Sequence, residues 1–158
     1  MAYLTAEKKE GCILCEKHRE ARDRENLVLY RGRSCYIMLN LYPYNTGHLM
    51  IAPYRHAATL SELDAETLVE IIQLAERSLR VLRRALSPAG FNLGMNIGRV
   101  AGAGIADHIH LHIVPRWEGD TNFMPILAGT KVLPETLDTT YDKLLRAWRE
   151  EEAASQGR

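Results

Sequence analysis

The chain has 158 residues, 46% hydrophobic and 25% charged, with 20 basic and 20 acidic side chains and a formal net charge of zero. That is the size and composition of one domain with a real core, and zero net charge excludes a global field drawing it to nucleic acid or a membrane surface, so an anionic substrate must be held by local groups. No apolar run approaches a membrane span and the start, MAYLTAEKKEG, lacks an apolar signal core, so the expectation is a cytoplasmic protein with neither a membrane nor a nucleic-acid partner.

Residues 1–26 carry Cys12-Ile13-Leu14-Cys15 and then a charged stretch, and read as a loop or short helix around a metal knuckle. Residues 27–30 and 36–39 predict two strands joined by a turn at Arg31-Gly32-Arg33-Ser34. A turn-rich loop over 41–47 leads to a third strand, 48–52, halted by Pro53. Leu68, Ile71, Ile72, Ala75, Leu79, Leu82 and Leu86 recur at three- and four-residue steps and predict one long helix, with Ser61 or Asp64 as N-cap and Ser87-Pro88-Ala89-Gly90 as its stop. Residues 91–97 predict a fourth strand, 98–104 a small-residue loop, and 108–114 a fifth strand. Residues 118–134 read as an ordered loop, and 137–152 as a second amphipathic helix with Leu144, Leu145 and Trp148 on its apolar side, fraying from Ala153. Strands joined by short turns predict an α+β domain over residues 1–158. Its sheet is antiparallel with about five strands, covered on one face by a long central helix and a C-terminal helix.

The most informative stretch is His108-Ile109-His110-Leu111-His112-Ile113-Val114-Pro115-Arg116-Trp117. On a strand, alternate side chains share a face, so the three imidazoles line one face and the three aliphatic residues the other. Such a row can bind anions, hold a metal, move protons or attack an electrophile. The outer two imidazoles lie about 13 Å apart at about 3.3 Å per residue, which disfavours a single three-histidine metal site and favours division of labour.

Cysteines at 12 and 15 read as half of a zinc site or as a redox pair; the segment before them lacks the strand that a thioredoxin-like pair follows. A zinc site needs four ligands, and among six histidines His18 is near in sequence, while His56 and His108 would complete a two-cysteine, two-histidine set with Cys12 and Cys15. A knuckle without metal is the other reading. The loop Asn96-Ile-Gly98-Arg-Val-Ala-Gly102-Ala103-Gly104 suits phosphate binding through free backbone N–H groups, although alone it equally describes a tight connection. Trp117 and Phe123 are candidates for base stacking or for core, and Arg116 for a phosphate contact or an exposed strand end.

The pattern His-φ-His-φ-His-φ-φ resembles the signature of the histidine-triad (HIT) superfamily. Asn40-Leu-Tyr-Pro43, then Thr46-Gly47-His48-Leu-Met-Ile-Ala-Pro53 and His56, resembles its second signature, and Asn96-x-Gly98-x-x-Ala101-Gly102 its third. Order and spacing hold over roughly residues 12–134, and Arg116-Trp117-Glu-Gly119-Asp120-Thr-Asn122-Phe123 most resembles the branch with bacterial diadenosine tetraphosphate phosphorylases and related hydrolases. The resemblance implies the HIT α+β fold, usually as a homodimer; the residues do not fix its interface, for which the exposed apolar side of the 64–86 helix is one candidate surface. It implies His110 as nucleophile, forming a nucleotidyl-histidine, and His112 bonded to the α-phosphate or bridging oxygen. His48 would orient the nucleophile through its backbone. Asn96 and the backbone of Gly102, Ala103 and Gly104 would stabilise the transition state. Asn40 matches a sugar-contacting position; Cys12, Cys15, His56 and His108 match a structural zinc set, and magnesium would accompany the nucleotide. Many relatives carry Gln or Ser after the Ala-Gly of the loop, where this chain has Ala103-Gly104 and a loop one residue longer. Loss of a water-positioning group there favours inorganic phosphate as second acceptor, hence phosphorolysis of diadenosine tetraphosphate to ATP and ADP. Hydrolysis, phosphoramidase activity through the same histidine, and a non-catalytic nucleotide-binding module are the alternatives.

Overall fold

A computed structural model describes residues 11–105, 108–121, 127 and 134–157 of the chain. Five strands, β1 (Val28–Arg31), β2 (Cys35–Leu39), β3 (Leu49–Pro53), β4 (Gly90–Gly94) and β5 (Leu111–Arg116), form one sheet in the order β1-β2-β3-β5-β4. Every ladder is antiparallel. The helices are α1 (Ile13–Arg19), α2 (Ala65–Leu86) and α3 (Leu137–Gln156). The predicted α+β class, strand count and two long helices agree with this arrangement.

Period-two alternation sorts the sheet into two apolar layers. Leu49, Ile51, Leu111 and Ile113 face the main core beneath α2 and α3. Met50 and Ala52, with Val28, Tyr36 and Met38, face a smaller core that Leu14 of α1 closes. The sheet is thus covered on both faces, which is why β2 and β3 are buried along their whole length rather than in alternation. The second face was not expected; its cover is a short helix that hydropathy periodicity leaves undefined.

Helix α2 starts at Asp64, whose carboxylate accepts the Thr67 N–H at 2.7 Å, and stops at Ser87, which takes φ 49 and donates its N–H to the Arg83 carbonyl. Of the predicted stripe, Ile71, Ala75 and Leu82 are buried, but Ile72 is 64% exposed, and Leu74 and Val81 are buried in addition. The helix is rotated from the predicted stripe because both flanks of α2 have partners. Helix α3 docks on it through Trp148, with the Arg77 guanidinium 4.1 Å from the indole and 5.0 Å from the Tyr30 ring, and Tyr141 donates to the Val28 carbonyl at 2.9 Å. This helix runs to Gln156, past the predicted fraying point.

Two strand boundaries need correction. β4 ends at Gly94 rather than at residue 97, and β5 begins at Leu111 rather than at His108. The ladder between β3 and β5 stops at the pair Ile51 and Leu111; beyond it β3 continues into Pro53, which has no N–H to donate. Residues 108–110 are held instead by Ile109 N–H on the Ala57 carbonyl (2.7 Å) and His108 Nε2–H on the Pro53 carbonyl (2.8 Å). The alternation survives outside the ladder: Ile109 joins the main core and the histidines point to the opposite side. Most of the loop expected over 118–134, with Phe123, lies outside the described residues.

Gly47 precedes His48 at φ 80, and a Cβ there would stand 2.6 Å from Leu86 Cδ1 and 3.1 Å from Leu82 Cδ2. Gly47→Ala therefore combines left-handed backbone strain with overpacking against the end of α2, and is expected to lower the unfolding free energy by about 2–4 kcal/mol, read by urea unfolding.

Candidate functional site

His48, Met50 and Ala52 share the face on which His112 lies, and Met50 pairs directly with His112 across β3 and β5. His48 is therefore the diagonal neighbour of His112, within reach of a long side chain. Its Nε2 lies 2.9 Å from His112 Nδ1, and the His110 and His112 ring centroids are 4.6 Å apart. The resemblance put the contribution of His48 in its backbone; the contact found is a side-chain bond, and it is made to His112.

Hydrogen-bond partners assign the tautomers, since a carbonyl only accepts and a backbone N–H only donates. His110 Nδ1 lies 2.9 Å from the His108 carbonyl, so Nδ1 carries the proton and Nε2 keeps its lone pair. Tyr44 N–H donates to His48 Nδ1 at 3.1 Å. The proton of a neutral His48 is then on Nε2, which donates to His112 Nδ1 and leaves His112 with an Nε2–H. One imidazole presents a lone pair and its neighbour a donor. Burial lowers the His110 pKa, opposed by the bond to the His108 carbonyl. Burial, and then the His110 charge, push His112 down to about 4. Both rings are neutral near pH 7, the state a nitrogen nucleophile needs.

The same segment builds a second cluster. Cys12 caps α1 and Cys15 sits in its first turn, while His56 follows β3. His108 Nδ1 is 3.2 Å from Cys12 Sγ and 3.4 Å from Cys15 Sγ, and His56 Nδ1 is 3.4 Å from Cys15 Sγ. All four donor atoms lie within 4.8 Å of one another. Tetrahedral zinc, with Zn–S of about 2.3 Å and Zn–N of about 2.0–2.1 Å, sets its ligand atoms about 3.3–3.8 Å apart, so the set fits. Because His108 Nε2–H is spent on Pro53, Nδ1 presents a lone pair to the cysteines. Burial and the neighbouring Cys12 raise the Cys15 pKa, so two thiolates here call for a cation beside them. His18 is not in this cluster; its ring packs on Tyr36 and Tyr54. The third cysteine, Cys35, is fully buried, and burial pushes its thiol up to about 12, which makes it core.

Other predicted residues are placed less centrally. Asn40 is buried, its Oδ1 accepting the Tyr42 N–H at 2.9 Å, so its amide shapes the 41–47 turn. Asn96 Nδ2 reaches the Gly102 carbonyl at 3.4 Å, and Gly98 and Gly102 take φ 83 and 85. Among the described residues no hydrogen bond joins Asn96, Gly102, Ala103 or Gly104 to the histidines. Trp117 is half-buried, its backbone N–H donating to Asp120 Oδ2 at 3.1 Å. Arg116 lies at the strand end with its side chain 40% exposed, and its Nε and Nη2 grip the Asp120 carboxylate at 2.7 and 2.8 Å. Two residues were missed. Asp120, held well below the usual carboxylate range by Arg116, also accepts from Asn45 Nδ2 at 2.7 Å and so ties the 41–47 loop to the end of β5. Tyr44 lays its ring 4.7 Å from that of His48 and 6.1 Å from that of His112. An aromatic residue in a turn-rich loop four positions before a site histidine was the signal available for it.

Comparison with known proteins bears on this arrangement directly. A model of the HIT domain matches residues 21–119. The chain belongs to the HIT family. It is 44% identical over 126 residues to a Mycobacterium tuberculosis protein named AP-4-A phosphorylase, a match covering 80% of this chain and 65% of that protein's length. It is 33% identical over 78 residues to the adenosine 5'-monophosphoramidase hnt1 of Schizosaccharomyces pombe, covering 49% of this chain and 55% of that one. Among solved structures, a zinc-bound histidine triad family protein of Mycobacterium smegmatis superposes with a TM-score of 0.73 at 24% identity, over 91% of this chain and 97% of that one. That likeness establishes the HIT fold for the described architecture.

Because the pKa of His112 is lowered from an ordinary 6.5 to about 4, the native state binds fewer protons than the unfolded chain between these values. Its contribution to stability is complete above pH 6.5 and is lost as pH falls toward 4. His112→Gln is expected to flatten the pH dependence of the unfolding midpoint in that window while leaving it unchanged above pH 7, checked by urea unfolding of both proteins across the range.

Proposed function

We propose that the protein is a nucleotidyl-transfer enzyme that cleaves dinucleoside polyphosphates such as diadenosine tetraphosphate through a covalent intermediate on His110. The observation that carries this reading is the pair of opposite tautomers: a lone pair on His110 Nε2 beside an Nε2–H on His112. His110 Nε2 attacks the α-phosphorus; the Nε2–P bond forms as the P–O bond to the departing ATP breaks, and the His112 Nε2–H stabilises the charge left on that oxygen. An oxygen of inorganic phosphate then attacks the phosphorus, Nε2 leaves, and ADP is released, so diadenosine tetraphosphate and phosphate become ATP and ADP. Asn96 and the backbone of Gly102, Ala103 and Gly104 are assigned to stabilising the transition state, and Asn40, Trp117 and Phe123 to holding the nucleotide. Phosphorolysis rather than hydrolysis is favoured by the missing polar side chain at Ala103-Gly104 and by the likeness to the mycobacterial protein. Phosphoramidase activity through the same histidine is the second reading, motivated by the likeness to the yeast enzyme.

Zinc is proposed at Cys12, Cys15, His56 and His108 in a structural role, fixing the imidazole of His108 and with it the carbonyl that orients His110. Magnesium belongs to the substrate in this reading, the knuckle being the cluster of metal-binding type among the described residues. A homodimer is proposed on the same resemblance, with Val69 and Ile72 exposed on α2 as interface residues.

Product analysis by anion exchange tests the reaction. ATP and ADP from diadenosine tetraphosphate only when phosphate is present is the expected result; ATP and AMP regardless of phosphate would make the protein a hydrolase. His110→Ala is expected to lower turnover by about three orders of magnitude or more while nucleotide still binds, and normal turnover would sink the mechanism. Metal analysis should find about one zinc per chain, lost in the Cys12→Ser/Cys15→Ser protein together with thermal stability.

A further inference from the structure

Large apolar side chains exposed on the described surface include the pair Val69 and Ile72 on α2 and the pair Ile97 and Val100 in the small-residue loop. Leu41, Tyr42 and Tyr44 form a run of three within four residues of one loop and are 53, 50 and 55% exposed. Tyr44 packs on the rings of His48 and His112. Its ring is nearly parallel to that of His112, at 20° and 6.1 Å between centroids, and leans on His48 at 4.7 Å.

An exposed aromatic ring is usually mobile; this one stands on a backbone held from several directions. Its own N–H is bonded to His48 Nδ1 at 3.1 Å. The next residue, Asn45, donates to the Pro115 carbonyl at 2.9 Å and to Asp120 at 2.7 Å, and its carbonyl accepts the His48 N–H at 3.1 Å. Before it, the Tyr42 N–H is fixed by Asn40 at 2.9 Å. The loop therefore loses little further freedom when a ligand covers the ring, so the contact converts into affinity with small ordering cost. Flat heteroaromatic bases have the matching surface, and stacking is tolerant of which base is presented.

We infer that Tyr44 is a specificity residue for the departing half of the substrate, stacking the second nucleobase of a dinucleoside polyphosphate. This rests on the reading above, in which the departing oxygen lies at His112. Tyr44 then distinguishes substrates that carry a second nucleoside from those ending in bare phosphate, and is indifferent to the identity of that second base.

Calorimetric binding to protein blocked at turnover by His110→Ala tests it, with diadenosine tetraphosphate compared with adenosine tetraphosphate, which lacks the second nucleoside. With Tyr44, or with Tyr44→Phe, the second adenosine is expected to tighten binding about tenfold. With Tyr44→Ala or Tyr44→Leu that advantage disappears while adenosine tetraphosphate binds as before. An advantage that survives in Tyr44→Ala, or equal weakening of both ligands, overturns the role given to Tyr44 while leaving the nucleotide reading intact. Failure of both ligands to bind the protein with Tyr44 in place overturns the nucleotide reading itself, and the role of Tyr44 with it.

Discussion

The hydrogen bond from His110 Nδ1 to the His108 carbonyl, two residues back along the same segment, is the constraint on which the site depends. It consumes one ring nitrogen and so decides which face of the imidazole is basic. The bond requires residues 108–110 to be extended without a neighbouring strand, since a ladder partner would compete for the backbone. That segment is pinned at its side chains instead. His108 is gripped on both ring nitrogens, by the Pro53 carbonyl on one side and the two cysteines on the other, and Ile109 is fixed to Ala57. The N-terminal cysteine–histidine cluster and His110 thus meet in one residue, His108, whose imidazole serves the first and whose carbonyl serves the second.

The alternation of residue types was legible because it obeys the simplest rule of extended chain. Imidazoles at 108, 110 and 112 on one side and aliphatic residues on the other is what the structure contains, and the grouping of Cys12, Cys15, His56 and His108 was legible from ligand counting. The division of labour was legible too: His108 turns to the cysteines, and the other two turn to each other. What spacing does not encode is where the ladder stops. The end of pairing at Leu111 depends on Pro53, a residue 58 positions earlier, and only the register of β3 with β5 brings the two into relation.

The hydrogen bond between His48 and His112 follows from that same register. Parity could place His48 on the histidine face, but its diagonal position needs to be known to within one residue, and a slip of one would send it into the main core. Asp120 and Tyr44 were hidden for a different reason. Each acts through a chain reversal, the turn after β5 for one and the 41–47 loop for the other, and neither belongs to a periodic pattern. Their partners, Asn45 and His48, lie across the boundary between loop and strand.

Pro53 has a further consequence for how this chain tolerates change in length. With no N–H on that residue, the β3–β5 ladder lacks a donor there to continue past Leu111, and residues 108–110 keep their alternation through other contacts. A residue added or deleted between His108 and Leu111 would break the alternation at that point, placing an imidazole where an aliphatic side chain now sits. The length of this segment is therefore set by the parity of its side chains, although it lies outside the ladder between β3 and β5.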